Sequence, residues 1–205
     1  MKTHKILALI IGLAAFPAGA SAGQSPFSYN PATVKAGTYA LDSDHGKVTW
    51  AVSHFGFSTY IGQFAGVTST LKLDPQNVGD SKLTAKIVID SIGTLDPALN
   101  NMLESPKFFD ASAYPIATFV STKIVRTGSK TAQVTGNLTL RGVTKPVVMN
   151  VVFNQAGVNP IMNMYEVGFQ GHMTLLRSEF GVSAFVPYIG DKVTLNLEGE
   201  YLLQP

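Results

Sequence analysis

The sequence contains no cysteine. That excludes a disulfide framework, a thiol nucleophile and lipid attachment to a cysteine behind a leader. Long apolar runs are also scarce. The longest, Ile6 to Phe16, is broken by Pro17 and Gly19 and falls short of the ~20 residues a membrane-spanning helix needs. Lys2 and Lys5 precede that run and Ala20-Ser21-Ala22 follows it, the arrangement of a secretory signal peptide. Cleavage is expected after Ala22, which makes residues 1–22 a leader, places the mature chain in the periplasm and predicts no stable membrane insertion.

Charge of one sign is missing too. The 15 Lys+Arg face 13 Asp+Glu, and removing the leader takes Lys2 and Lys5, so 13 basic residues face 13 acidic ones in the mature chain. A formally neutral protein offers no electrostatic footprint for nucleic acid or an anionic surface.

Helical patterning is confined to one segment. Asp96 is placed to cap a short helix over residues 97–104, Pro97 suits its first position, and Pro106 ends it. What dominates instead is period-2 alternation, the mark of strands with one buried face. It runs through Val48, Trp50, Val52 and His54, through Leu83, Ala85, Ile87 and Ile89, and through Val134, Gly136, Leu138 and Leu140. It resumes in 147–153, 167–175 and 193–201. With 39–42, 63–73 and 117–125 added, about nine strands are expected between turn-forming residues. One short helix cannot supply the crossovers of a parallel sheet. The expected fold is therefore all-β, a lipocalin-like extended antiparallel β-barrel of about eight strands, with the helix near one opening. Residues 23–37 carry no apolar periodicity and are expected as a flexible arm or edge cover before a single domain over 38–205.

A barrel of this size is either packed solid or holds one small ligand. The inferred inward set mixes the large Trp50, Phe64, Phe119, Phe153, Phe169 and Met173 with the small Ala85, Ser121, Gly136 and Gly171, which leaves room along the axis. Val52, Ile87 and Met149 belong to the same wall. Leucine in place of Gly136 or Gly171 is expected to block the interior of a folded barrel. For fixing a ligand's head group the polar candidates are His45, His54, Ser121, His172 and Arg177, with His54 preferred. Aromatics near the turns, including Phe55, Phe57, Phe108, Phe180, Phe185 and Tyr188, either rim a mouth or pack the barrel end.

Four phrases occur in order: His45-Gly46-Lys47-Val48 with Val52-Ser53-His54-Phe55-Gly56, then Ser105-Pro106-Lys107-Phe108-Phe109-Asp110, then the run from Gly136 to Val147, then Arg177-Ser178-Glu179-Phe180-Gly181-Val182. Together, from about Tyr39 to Tyr201, they resemble the YceI-like family of secreted bacterial lipid-binding barrels. The resemblance implies an elongated apolar ligand of the polyisoprenoid, isoprenoid-quinone or long-chain amide kind, and it leaves a homodimer open. In one place the chain departs from the family. Where relatives carry a phrase like Arg-Asp-x-His-Leu, this sequence has Leu99-Asn100-Asn101-Met102-Leu103, so charge and imidazole are both replaced there.

No His-Glu-x-x-His and no Gly-rich phosphate loop is present, and no catalytic residue, metal ligand or cofactor is assigned. Three readings stand: a carrier of an elongated hydrophobic ligand, a filled barrel acting through its loops on an envelope partner, and a small lipid-modifying enzyme. An open cavity separates the first and third from the second.

Overall fold

A computed structural model describes residues 26–205; the expected leader lies outside them. Among the described residues there are twelve strands and one α-helix. They are β1 (Phe27–Ser28), β2 (Gly37–Leu41), β3 (Lys47–His54), β4 (Ser58–Phe64), β5 (Val67–Leu73), β6 (Lys82–Val88), β7 (Ile92–Gly93), α1 (Pro97–Glu104), β8 (Ile116–Arg126), β9 (Thr131–Leu140), β10 (Val143–Val158), β11 (Tyr165–Leu176) and β12 (Ile189–Leu203).

The pairing turns these pieces into eight barrel strands. The long β12 pairs with β3 from Ile189 to Glu198 and with β2 from Tyr201 to Leu203, both antiparallel, so β2 and β3 are successive parts of one strand. In the same way β4 and β5 pair in turn with β3 and β2, and β7 and β6 pair with β4 and β5. From β6 the order runs through β8, β9, β10 and β11 back to β12, antiparallel at every step. The result is a closed up-and-down barrel. Closure removes the sheet edges that would otherwise seek a partner.

Local chemistry sets the corners. Leu140 pairs with Val143, and the two residues between them, Arg141 and Gly142, have φ of 51° and 74°. Positive φ at both positions is the two-residue hairpin turn whose twist matches its strands. The arginine tolerates it while its Nη1 and Nη2 donate to the Gly181 and Pro106 carbonyls at 2.9 and 2.8 Å. At Gly62 and Gly136 a Cβ would overlap the rings of Trp50 and Phe119. Aromatic rings laid over strand glycines cover backbone that would otherwise pack poorly.

The helix forms where the sequence indicates. The Asp96 carboxylate accepts from the Ala98 and Leu99 N–H groups at 2.9 and 3.4 Å, and Pro97 follows as the first helical residue.

Three clusters of apolar side chains pack inside the barrel. At the α1 end, Trp50, Val52, Phe64, Ile89, Phe108 and Val182 pack together. The middle holds Phe119, Val134, Leu138, Met149, Met173 and Phe180. The far end is closed by Val34, Tyr39, Phe153, Val167 and Tyr201. Part of the expected arm contributes there: Phe27 and Ser28 pair with Gly157 and Ala156 of β10, and the Lys35 carbonyl accepts from the Tyr39 hydroxyl at 2.6 Å. Among the described residues no helix is long and apolar enough to cross a membrane.

Where the chain passes from β2 to β3 it makes a short excursion over 42–46. The Asp42 carboxylate meets His45 Nδ1 at 2.8 Å, and Glu200 of the neighbouring β12 lies 3.7 Å from the same nitrogen. The hydrogen bond from His45 holds the Asp42 carboxyl below its usual range, while that bond and then the Glu200 charge raise the imidazole. Burial, and then Glu166, push the Glu200 carboxyl up. A raised imidazole adds stability that is full below its unfolded pKa of about 6.5 and lost as pH climbs through the folded value. A lowered carboxyl adds stability above about 3.9 that is lost as pH falls through its own folded value. Thermal unfolding of wild type against His45→Ala should therefore show a small difference, widest between these two ranges and closing at alkaline pH. A difference that stays flat with pH would contradict this pairing.

Candidate functional site

The interior is not packed solid. A cavity of about 300 Å³ runs along the barrel. It reaches from Phe108, Val182 and Ile189 near α1 to Leu73, Val78 and Ala132 toward the opposite end. Its wall follows from strand parity: Val48, Trp50 and Val52 of β3, Leu83, Ala85 and Ile87 of β6, and Val193, Leu195 and Leu197 of β12 all face it. Alternate positions on the same strands carry Lys, Thr, Asn and Glu toward solvent.

The few polar groups in the wall are mostly engaged with protein. Ser69 Oγ meets the Tyr201 hydroxyl at 3.0 Å and donates to the Thr84 carbonyl at 2.8 Å. Ser81 Oγ accepts from the Asp74 N–H at 2.9 Å. Burial pushes the Tyr201 phenol up, although its bond to Ser69 opposes the shift, so it stays protonated. Lys47 and Glu198 pair across β3 and β12 at positions that alternate with the inward ones.

Arg177 is the buried charge of the site. It begins the 3₁₀ turn Arg177–Phe180, its side chain is buried, and it lines the cavity. Its Nε donates to the Gly190 carbonyl at 2.8 Å, Nη1 to Val182 at 2.8 Å, and Nη2 to Ala184 and Ile189 at 2.9 and 2.8 Å. Burial lowers its pKa, and Asp191 opposes the shift. The guanidinium thus gathers the connection between β11 and β12 over the barrel end.

Of the residues expected to meet ligand, Trp50, Val52, Phe64, Ile87 and Phe108 line the cavity, as do Phe119, Met149, Phe169, Met173 and Arg177. Four stand elsewhere. His54 ends β3 at the barrel rim, exposed, with its ring 4.8 Å from that of Phe55. Ser121 is spent within the sheet, its Oγ accepting the Leu83 N–H at 2.8 Å. Phe153 belongs to the plug at the far end, 5.9 Å from Phe169. Phe180 packs in the middle cluster. The other two candidate histidines are outside as well: His45 is on the 42–46 excursion, and His172 Nδ1 meets Asn196 at 2.9 Å on exposed positions of β11 and β12.

Wall residues beyond those expected to meet ligand include Leu103 of α1, Val182 of the connection between β11 and β12, and Ile189 and Leu195 of β12. Leu195 carries the same alternation signal as Trp50. Leu103, Val182 and Ile189 reach the cavity only through the folding of connections, and no local pattern marks them. The aromatics near the turns divide: Phe64, Phe108 and Phe180 are buried, whereas Phe55, Phe57, Phe185 and Tyr188 are exposed.

A closed up-and-down barrel with a long apolar cavity defines the lipocalin-like class of β-barrels. Within that class the chain belongs to the YceI-like domain family, which it matches over residues 39–201. Relatives include a UPF0312 protein of Pseudomonas savastanoi pv. phaseolicola, 38% identical over 149 residues, 72% of this chain and 77% of that one. A UPF0312 protein of Ectopseudomonas mendocina is 33% identical over 82% of this chain and 89% of its own. Among solved structures, Burkholderia cenocepacia BcnA superposes with a TM-score of 0.71 at 26% identity, covering 78% of this chain and 98% of that one. A polyisoprenoid binding domain from Saccharophagus degradans shares the fold at a TM-score of 0.63 and 13% identity, over 83% of this chain and all of that one.

Proposed function

We propose that this protein sequesters one elongated, predominantly apolar small molecule inside its barrel and carries it through the periplasm. The observation that carries this reading is the cavity itself, about 300 Å³ in volume and walled by aliphatic and aromatic side chains over most of the barrel's length. Such a volume is at the lower end of the range for small-molecule sites. Removing an alkyl or isoprenoid chain from water is worth about 0.8 kcal/mol per buried CH₂ group. A chain of roughly a dozen carbons thus gains on the order of 10 kcal/mol before the costs of ordering it are subtracted. Binding on that scale requires no covalent chemistry.

Family membership and the fold shared with a polyisoprenoid binding domain support a polyisoprenoid, isoprenoid quinone or long-chain amide as cargo. The wall favours binding over catalysis. The titratable side chains at inward positions, Arg177 and Tyr201, are both tied to protein partners. An open interior also disfavours a filled barrel that acts through its loops alone.

Native mass spectrometry of protein purified from the periplasmic fraction tests the reading. A discrete bound mass that leaves on organic extraction and is identified as a long-chain or isoprenoid compound is the expected result. Protein that arrives empty and ignores added polyprenols, quinones and fatty amides would overturn it.

A further inference from the structure

Among the described residues, one buried side-chain nitrogen in the cavity wall has no hydrogen-bond partner. Trp50 is nine-tenths buried and lines the cavity, yet its indole Nε1–H makes no hydrogen bond among the described residues. A buried donor left unpaired forfeits its hydration and gains nothing in return. The residues directly opposite, Gly62 on β4 and Leu195 on β12, carry no side-chain oxygen to receive it, and the stacked Tyr60 makes no hydrogen bond to it. The wall hydroxyls of Ser69, Ser81 and Tyr201 already have their own partners. A phenylalanine would cover Gly62 and stack with Tyr60, whose ring centroid is 6.2 Å away, without burying a donor. Packing therefore accounts for an aromatic ring at position 50 but not for its N–H.

We propose that the Trp50 indole N–H is the polar anchor of the cavity, donating to an uncharged carbonyl oxygen on an otherwise apolar ligand. The inference rests on the reading of the barrel as a binder of elongated apolar molecules, and it adds which polar group the ligand carries and where that group sits. An amide, ester, ketone or quinone presents such an acceptor. A bare hydrocarbon does not. A phosphate or carboxylate finds little at Arg177, because four of the guanidinium's five N–H donors are given to backbone carbonyls. Trp50 packs with Phe108 and Val182, so the carbonyl is seated in the half of the cavity beneath α1 and the apolar tail extends toward Ala132 and Val78.

Trp50 is the sole tryptophan of the chain, so ¹⁵N-labelled protein gives one indole cross-peak that reports on this atom alone. Hexadecanamide and hexadecane serve as matched probes, presented to wild type and to Trp50→Phe. Expected are binding of both probes by wild type, a downfield indole proton shift with the amide only, and a loss of amide affinity on the order of tenfold in Trp50→Phe with alkane affinity unchanged. If both probes bind while the indole resonance ignores the amide and the variant treats both alike, the anchor is wrong and the cavity reading stands. If neither probe binds, the cavity reading falls and the anchor falls with it. The wild-type resonance decides the matter even if Trp50→Phe does not fold.

Discussion

Leucine at position 171 should give a barrel that still folds but no longer takes up ligand. Gly171 sits on β11 between Val151 of β10 and Leu197 of β12 and faces the cavity. A Cβ there would stand 2.8 Å from Met149 Sδ and 3.3 Å from Leu197 Cβ. The first neighbour is the end of a flexible side chain that can swing aside, so the strain is that of a modest overpacking, about 1–3 kcal/mol. The remaining carbons of the leucine then project into a space of only about 300 Å³. Circular dichroism and cooperative unfolding should persist with a lowered Tm, while affinity for a long-chain ligand falls more than tenfold. Ala85→Leu repeats the test from the other side, because β6 and β11 stand four places apart in the ring of eight barrel strands. Undiminished ligand load in either folded variant would remove the cavity as the binding site.

Gly136 is not equivalent to Gly171, contrary to the expectation from alternation alone. It faces inward but lies beneath the Phe119 ring, and a Cβ would also approach the Val120 carbonyl oxygen to 2.7 Å. That oxygen belongs to the backbone of the adjacent strand and cannot step aside. Leucine at 136 is expected to break the β8–β9 pairing rather than to plug a folded barrel.

The contrast shows what alternation in a sequence can and cannot reveal. Parity along a strand tells which side chains face inward, and on that ground the walls contributed by β3, β6 and β12 were legible from their Val, Leu and Ile positions. Parity says nothing about how far along the axis the open space extends. His54 continues the Val48, Trp50, Val52 series, but it is the last residue of β3, paired with Ser58 and Ile189 at the rim, where the side chain is exposed rather than inside the cavity. Phe153 is inward too, at a level the plug already occupies. Beyond Ser121 a β-bulge breaks the count, and the hydroxyl is consumed by the neighbouring strand. The expectation of about nine strands differs from the observed ring for a related reason. Residues 39–42 and 48–54 are one barrel strand interrupted by an excursion, and their unity is visible only through their common partner β12. The helix was legible because its signals, Asp96 and Pro97, are local. The wall contributed by Val182 and Ile189 was not, because it depends on a long-range clasp.

That clasp is where a single truncation should cost the most. Alanine in place of Arg177 would leave the half-buried carbonyl oxygens of Ala184, Ile189 and Gly190, and the buried one of Val182, without their donor. Hydrogen bonds to a charged donor contribute about 1.5–3 kcal/mol each. They are not additive here, because the released segment can open and hydrate, so a loss of roughly 4 kcal/mol or more is the reasonable scale. Against a typical total of about 5–15 kcal/mol that is a large fraction, and Tm should drop steeply. Lysine keeps the charge but replaces a planar fork of donors with one ammonium, so Arg177→Lys should fall between wild type and alanine. The site of damage separates this account from a general loss of packing. Hydrogen exchange in the lysine variant should quicken first across residues 178–190, including the Val182 and Ile189 amides that now bond to the Arg177 and Phe185 carbonyls. Val182 and Ile189 also line the cavity, so a loosened cap should speed ligand release. An Arg177→Ala protein with near-native Tm and unchanged exchange over the cap would mean that the four carbonyls find other donors, and that the guanidinium does not hold this end of the barrel closed.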